Sequence, residues 1–166
     1  MISIIIPVYK KTEEFVKNLG HNYPYLKDCE IIVVNDYPAV SIKDMLSTYK
    51  LTLIENEKNL GFSGAVNTGV KKAKNNLVFL LNSDVRLNDN SFKTVGEQFE
   101  KDGKLFAVTF AQKERDGSVV GKNKVFWNRG LIHHAKADDS KAGETGWAEG
   151  GSSIVRRDLF LELHVF

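Results

Sequence analysis

Leu77-Val78-Phe79-Leu80-Leu81-Asn82-Ser83-Asp84 is the stretch on which the fold turns. Its five consecutive apolar residues do not alternate with polar ones and are too few for a typical helix. Bounded by polar residues, such a run fits a strand buried on both faces of a parallel sheet. It ends in an amide, a hydroxyl and a carboxylate. Parallel sheets bind ligands beyond the carboxyl ends of their strands, so this ending has a chemical reading as well as a structural one.

The same pattern repeats upstream. Ile2-Ser3-Ile4-Ile5-Ile6, Glu30-Ile31-Ile32-Val33-Val34 and Leu51-Thr52-Leu53-Ile54 read as further buried strands. Between them lie helical segments. Thr12 is the expected N-cap of a helix carrying Phe15, Val16 and Leu19, closed by Gly20. Ser41 caps a short helix with Ile42, Met45 and Leu46, and a third helix from Phe62 to Lys74 carries Val66, Val70 and Ala73 on one stripe. Repeated strand–helix–strand units predict an α/β fold with a mostly parallel, Rossmann-like central sheet flanked by helices. Downstream, Ser91 is the expected cap of a helix holding Phe92, Val95 and Phe99, and Leu105–Phe110 reads as a strand. Asp116-Gly117 is a turn signal after which Ser118-Val119-Val120 returns as a hairpin. Asn128–Thr145 is polar and aperiodic, with Gly130 and Gly143 near its ends, and predicts a long mobile loop that orders over a ligand. Order resumes over Trp147–Val155, and Asp158–Leu163 begins a helix.

Composition narrows the function classes. A chain of 166 residues makes one α/β domain and is too short for two full ones. A net charge of +2 with acids and bases interspersed gives no case for nucleic-acid binding. Cys29, the single cysteine, is expected at the core edge in a reducing compartment. The apolar start lacks a charged leader, and no apolar run reaches the roughly 18 residues of a membrane span. The expectation is a cytoplasmic protein, acting at the inner face of a membrane only through regions outside this chain.

Individual residues carry candidate chemistry. Asp84, at the end of a central strand, suits a hard divalent cation shared with substrate phosphates; read alone, it suits a chain turn somewhat better. Asp36, in Val33-Val34-Asn35-Asp36, suits a hydrogen bond from the imide N–H of uracil or thymine, or an Asx turn before Pro38. Asn59-Leu60-Gly61-Phe62-Ser63-Gly64-Ala65-Val66-Asn67 brings amides and glycines to a helix start, where negative charge is favoured. Ser63 is no hydrolase nucleophile, because the polar run Glu55–Asn59 separates it from the preceding strand. No dinucleotide-type glycine motif follows the first strand. His133-His134 with Asp138 and Asp139 matches no metal-ligand spacing and reads as a solvated loop.

Together these segments resemble glycosyltransferase family 2, whose members are inverting enzymes of the GT-A fold. Ser3–Tyr9 is similar to the family's opening strand, Val33–Asp36 to its base-holding motif, Asn59–Gly69 to its helix start, and Leu80–Asp84 to its Asp-x-Asp-type site. Ala148–Ser152 with Ile154-Val155-Arg156-Arg157 resembles the floor of the sugar and acceptor pocket. The resemblance implies one GT-A domain over residues 1–166, with residues 1–88 its nucleotide-binding half and 89–166 an incomplete acceptor half. It implies transfer of a sugar from a UDP- or dTDP-sugar to a glycan or lipid-linked acceptor, as in polysaccharide biosynthesis. The nucleotide sugar is expected on Pro7, Val8, Tyr9, Asp36, Asn59, Gly61, Phe62, Asn67, Asn82, Ser83 and Asp84. Mn²⁺ or Mg²⁺ is expected on Asp84, and the sugar and acceptor between Trp147, Glu149, Gly150 and Gly151. Tyr37-Pro38 replaces the family's Gly-Ser, and Asn82 its first metal-motif Asp. The family's Glu-Asp base pair does not occur before Phe166, which leaves Glu149 as the reserve base and makes the stretch read as truncated. A nucleotide-sugar-binding module or remnant without turnover is the competing reading. A nucleotidyltransferase would need a glycine- and arginine-rich loop where Pro7–Lys11 stands.

Overall fold

The computed structural model describes residues 1–114, 116–137 and 143–163. In chain order the first half comprises β1 (Ile2–Val8), α1 (Thr12–Leu26), β2 (Glu30–Asn35), β3 (Thr52–Glu55), α2 (Gly61–Lys72) and β4 (Leu77–Leu81). A 3₁₀ turn at Asp44–Leu46 precedes β3. The second half comprises α3 (Gly96–Lys101), β5 (Ala107–Thr109), β6 (Gln112–Lys113), β7 (Val119–Val120), β8 (Asn123–Asn128), β9 (Leu131–Lys136), β10 (Ser152–Arg156) and α4 (Arg157–Glu162).

Six strands form the central sheet in the order β3-β2-β1-β4-β10-β5. β1 pairs in parallel with β2 and β4, and β2 with β3. β10 is inserted antiparallel between β4 and β5. The unbroken apolar runs are explained by two cores, one on each face. Ile4 and Ile6 join Phe15, Leu19, Val33, Phe79 and Ile154 on the α1 side. Ile5 joins Ile32, Val34, Val66, Val70, Val78 and Leu80 on the α2 side. Cys29 packs half-buried at the edge of the first core, and burial raises its thiol pKa.

Local expectations differ from the structure at five places. Ser41 caps no helix: only the 3₁₀ turn Asp44–Leu46 forms there, with Lys43 before it and no side-chain cap. Thr12 is the first residue of α1 rather than its cap; Lys11 precedes it in the left-handed region, with no side-chain cap. α1 does not stop at Gly20. Its buried stripe runs through Phe15, Asn18, Leu19, Asn22 and Leu26, and a mid-helix glycine costs only about 1 kcal/mol. Ser91 is not a cap: it opens a 3₁₀ turn, and its backbone N–H donates to the Asp89 carboxylate. Within the expected loop Asn128–Thr145, residues 131–136 form β9, paired antiparallel with β8 from Asn128↔Leu131 to Asn123↔Lys136. Arg129 (φ 49°) and Gly130 (φ 78°) both take positive φ, as a two-residue type I′ hairpin turn requires. Asp138 and Asp139 lie outside the described residues.

The arginine pair at the junction of β10 and α4 closes helix ends. Arg157 donates to the carbonyls of Val70 and Lys71 in the last turn of α2, and Arg156 to those of Phe99, Asp102 and Leu105 around the end of α3. Carbonyls at helix C-termini lack intrahelical donors, and a cation there also matches the helix dipole.

α2 can approach β1 because residue 69 has no side chain. A Cβ there would stand 2.4 Å from Ile5 Cγ2 and 3.3 Å from Val34 Cγ2, both on stiff β-branched residues of the central sheet. Gly69→Ala gains about 1 kcal/mol of helix propensity but overpacks the core at a cost of about 1–3 kcal/mol. Urea denaturation is expected to show a net loss of stability with an unchanged m-value.

Candidate functional site

The carboxyl ends of β1, β2 and β4 and the start of α2 enclose a cleft of about 460 Å³. It is lined by every residue expected to hold the nucleotide sugar except Asn67, and also by Ala65. Asn67 misses because of helical geometry. Gly61, Phe62 and Ala65 face the cleft; at about 100° per residue, position 67 points roughly 200° away from position 65.

Asp36 is 2% exposed and accepts hydrogen bonds from Leu60 N (2.9 Å to Oδ1, 3.1 Å to Oδ2) and Asn56 Nδ2 (2.8 Å to Oδ1). A carboxylate offers about four acceptor positions, so one on Oδ2 remains. Asp36 thus ties the end of β2 to the turn that leads into α2. Within that turn Asn59 Oδ1 accepts from Gly61 N at 2.7 Å, and Gly61 has a φ of 72°. Tyr9 meets Tyr37 edge to face at 5.5 Å, and Lys10 Nζ lies 5.1 Å and 5.9 Å from the two ring centres. Asn35 shapes the Tyr37-Pro38 segment: its Oδ1 accepts from Tyr37 N and its Nδ2 donates to Val40 O.

Two buried asparagines of α1, absent from the sequence-based site, hold the segment after β4. Asn18 Nδ2 donates to Ser83 O (3.1 Å) and Asn22 Nδ2 to Val85 O (2.8 Å); Asn22 Oδ1 accepts from Leu87 N and Asn18 Oδ1 from Arg86 Nε. The Asp84 backbone is clamped on both sides while its side chain is exposed at the cleft. Among the described residues no group hydrogen-bonds or ion-pairs with that carboxylate, and no three His, Cys, Asp or Glu side chains converge as a metal cage. Asn82, Ser83 and Asp84 present oxygen donors only, which suits a hard cation that completes its shell with phosphate and water.

None of the second group of expected residues, Trp147, Glu149, Gly150 and Gly151, lines the cleft itself; just before β10, the two glycines pack against side chains that do. A Cβ on Gly150 would lie 3.2 Å from the Phe62 ring, and one on Gly151 2.1 Å from Asn82 Nδ2. These glycines therefore seat two cleft-lining side chains. Glu149 Oε1 accepts from Asn123 Nδ2 (3.0 Å) and Trp147 Nε1 (3.1 Å), while Oε2 has no partner among the described residues. Trp147 also packs edge-on against His134.

The Glycosyl transferase family 2 model matches residues 3–163, so the chain belongs to that family. Poly-beta-1,6-N-acetyl-D-glucosamine synthase of Staphylococcus epidermidis is 27% identical over 98% of this chain, and the synthase of that name from Staphylococcus aureus is 24% identical over 98%. The chain spans 41% of the length of each. A mannosyltransferase from Pyrobaculum calidifontis, solved with GDP-Man and Mn²⁺, superposes with a TM-score of 0.67 at 20% identity, covering 98% of this chain and 46% of that one. S. aureus TarS 1-349 superposes with a TM-score of 0.71 at 17% identity, covering 99% and 49%. These likenesses show the GT-A fold.

Glu55 organises the outer wall beyond β3. Burial raises its pKa, but hydrogen bonds from Ile42 N, Ser41 Oγ and Asn35 Nδ2, with Lys43 nearby, outweigh that and hold it below the ordinary glutamate value. A depressed folded pKa stabilises the protein above the unfolded pKa, and the contribution is lost as pH falls through the folded value. Glu55→Gln is expected to lower the melting temperature slightly at neutral pH. The parent and variant curves should begin to approach each other near the unperturbed glutamate pKa, about 4.3, and converge only below the lower folded value.

Proposed function

We propose that this member of glycosyl transferase family 2 binds a UDP- or dTDP-sugar in the cleft and transfers the sugar, with inversion, to a glycan or lipid-linked acceptor in polysaccharide biosynthesis. Residues 1–88 serve the nucleotide, and residues 89–166 the acceptor side. The observation that carries the reading is Asp84: an exposed carboxylate with a clamped backbone and no partner among the described residues, beside Asn82 and Ser83. An anion left unpaired at the edge of a cleft is suited to a cation brought with the substrate.

Asp84 would hold Mn²⁺ or Mg²⁺, which when bound neutralises charge growing on the leaving diphosphate. The start of α2 adds its positive dipole end near the phosphates. The remaining acceptor position on Asp36 Oδ2 would take the imide N–H of uracil or thymine. Tyr9 walls the pocket beside Pro7 and Val8, and Tyr37 packs edge to face against it. The mannosyltransferase neighbour was solved with a nucleotide sugar and Mn²⁺, and the synthases named above have a glycan product in their name, which supports the substrate class.

Titration calorimetry with UDP tests the donor site. Mn²⁺ is expected to strengthen UDP binding to the parent. Asp84→Ala should remove that gain, weakening metal-dependent binding by at least about tenfold, as loss of a charged contact worth about 1.5–3 kcal/mol implies. Equal affinity with and without metal, unchanged by the substitution, overturns the assignment.

Glu149 is the proposed base. Inverting transfer needs a carboxylate to take the acceptor hydroxyl proton on the side away from the leaving group. Glu149 Oε2 is free among the described residues, and the adjoining Gly150 packs under Phe62 of the cleft. The two bonds to Oε1 favour a second role, anchoring Asn123 and Trp147. Glu149→Gln separates the two, because Gln keeps an acceptor for both donors but cannot take a proton. In the protein that carries this chain, a base role predicts a rate loss of about 10²–10⁴-fold with UDP affinity and melting temperature unchanged. A transfer rate close to that of the parent assigns Glu149 to anchoring alone.

A further inference from the structure

We propose that the β8–β9 hairpin docks on an anionic lipid surface with its apolar tip inserted. Trp127, Leu131 and Ile132 are 70%, 65% and 71% exposed, and Val125 and Phe126 are about half exposed. Cross-strand pairing puts Trp127 beside Ile132 on one face; Leu131, opposite Asn128, lies on the other face with Phe126 and His133. The tip is therefore apolar on both faces. A strand pair serving a protein core buries one face and wets the other. A flat partner surface covers one face of a ribbon, whereas a fluid lipid interface surrounds both. Tryptophan is favoured there because its ring is apolar and its N–H finds polar partners.

Charge favours the same occupant. Residues 117–137 contain Lys122, Lys124, Arg129 and Lys136 and no carboxylate, although the whole chain balances 23 basic against 21 acidic residues. Lys136 Nζ donates to Val119 O, and Lys122 is also engaged. Lys124 and Arg129 make no ion pair among the described residues; Arg129 sits in the turn itself, beside the apolar tip. A basic, aromatic-tipped element suits anionic headgroups, with the arginine stem running along the acyl boundary and its head in the polar layer.

The base of the hairpin is tied to the candidate site. Asn123 Nδ2 holds Glu149, Gly146 N donates to Asn123 O, and Ala137 N to Lys122 O. A six-residue strand spans about 20 Å, so insertion of the tip would hold the Glu149 side of the cleft within about that distance of the lipid surface. No described helix is long and apolar enough to cross a membrane.

Vesicle sedimentation and tryptophan fluorescence on the full chain test the inference. With Trp147→Phe, Trp127 is the sole tryptophan of the original two. Phosphatidylcholine vesicles containing phosphatidylglycerol should bind this variant, shift its emission to the blue and, when the lipid is brominated, quench it. The triple variant W127S/L131S/I132S should lose at least about tenfold in partitioning, since it removes three apolar side chains whose transfer out of water drives insertion. Its melting temperature should be unchanged, because the substituted side chains are exposed. Lys124→Gln with Arg129→Gln should reduce the preference for anionic over neutral vesicles. Three results each overturn the proposal: no partitioning into anionic vesicles, equal partitioning of the triple variant, or tip-dependent self-association without lipid binding, which would assign the patch to a second copy.

Discussion

A carboxylate that is 2% exposed must have donors, because burying an unpaired charge costs several kcal/mol. Asp36 takes them from Asn56 and from the backbone of Leu60, 20 and 24 residues further along the chain. That closure sets where β3 turns back and where α2 begins. The cleft exists because α2 starts there, with Gly61 and Phe62 opposite the ends of β1 and β4. A substituted Asp36 would leave the donors of two residues unmatched, so its structural role and its place beside a nucleotide base are inseparable. The same economy appears at Asn35, whose amide shapes the Tyr37-Pro38 turn while its backbone completes β2.

The opposite wall depends on β10. Entering antiparallel between β4 and β5, it carries Gly150-Gly151 under Phe62 and Asn82, then delivers Arg156 and Arg157 to the helix ends. One segment thus joins the two halves of the chain in one sheet and finishes the cleft. Antiparallel entry also turns the Glu149 end of β10 toward the carboxyl ends of the parallel strands. A parallel strand at that position would have presented Glu149 to the far edge of the sheet.

Much of this arrangement is legible in the sequence for a specific reason. β1 to β4 are apolar on successive residues because both faces are buried, and such runs stand out against amphipathic helices. Residues just past their ends are chemically rich and lie side by side in any parallel sheet, so Pro7–Tyr9, Asp36 and Asn82–Asp84 could be grouped before any coordinates. Asn18 and Asn22 were not legible: they occupy apolar positions of the α1 stripe and look like breaks in it, and their partners lie more than 60 residues away. Asn67 was assigned to the cleft because it closes a motif, yet the turn of α2 carries it elsewhere. Asn128–Thr145 read as loop because a hairpin with two exposed faces has no alternation to detect; its turn signal, Arg129-Gly130, is weaker than Asn-Gly or Asp-Gly.

The sequence by itself determined the strands β1 to β4, the parallel half of the sheet and the identity of nearly all the cleft residues, because these follow from local hydrophobic pattern and from what a parallel sheet must place at its carboxyl ends. Only the tertiary structure decided which polar groups are spent on holding the fold and which are left for a ligand. Asp36 and Asp84 end the β2 and β4 motifs with the same side chain. One is buried under its donors, and the other stands exposed without a partner among the described residues. That difference comes from burial and from contacts between distant segments, which no local pattern encodes.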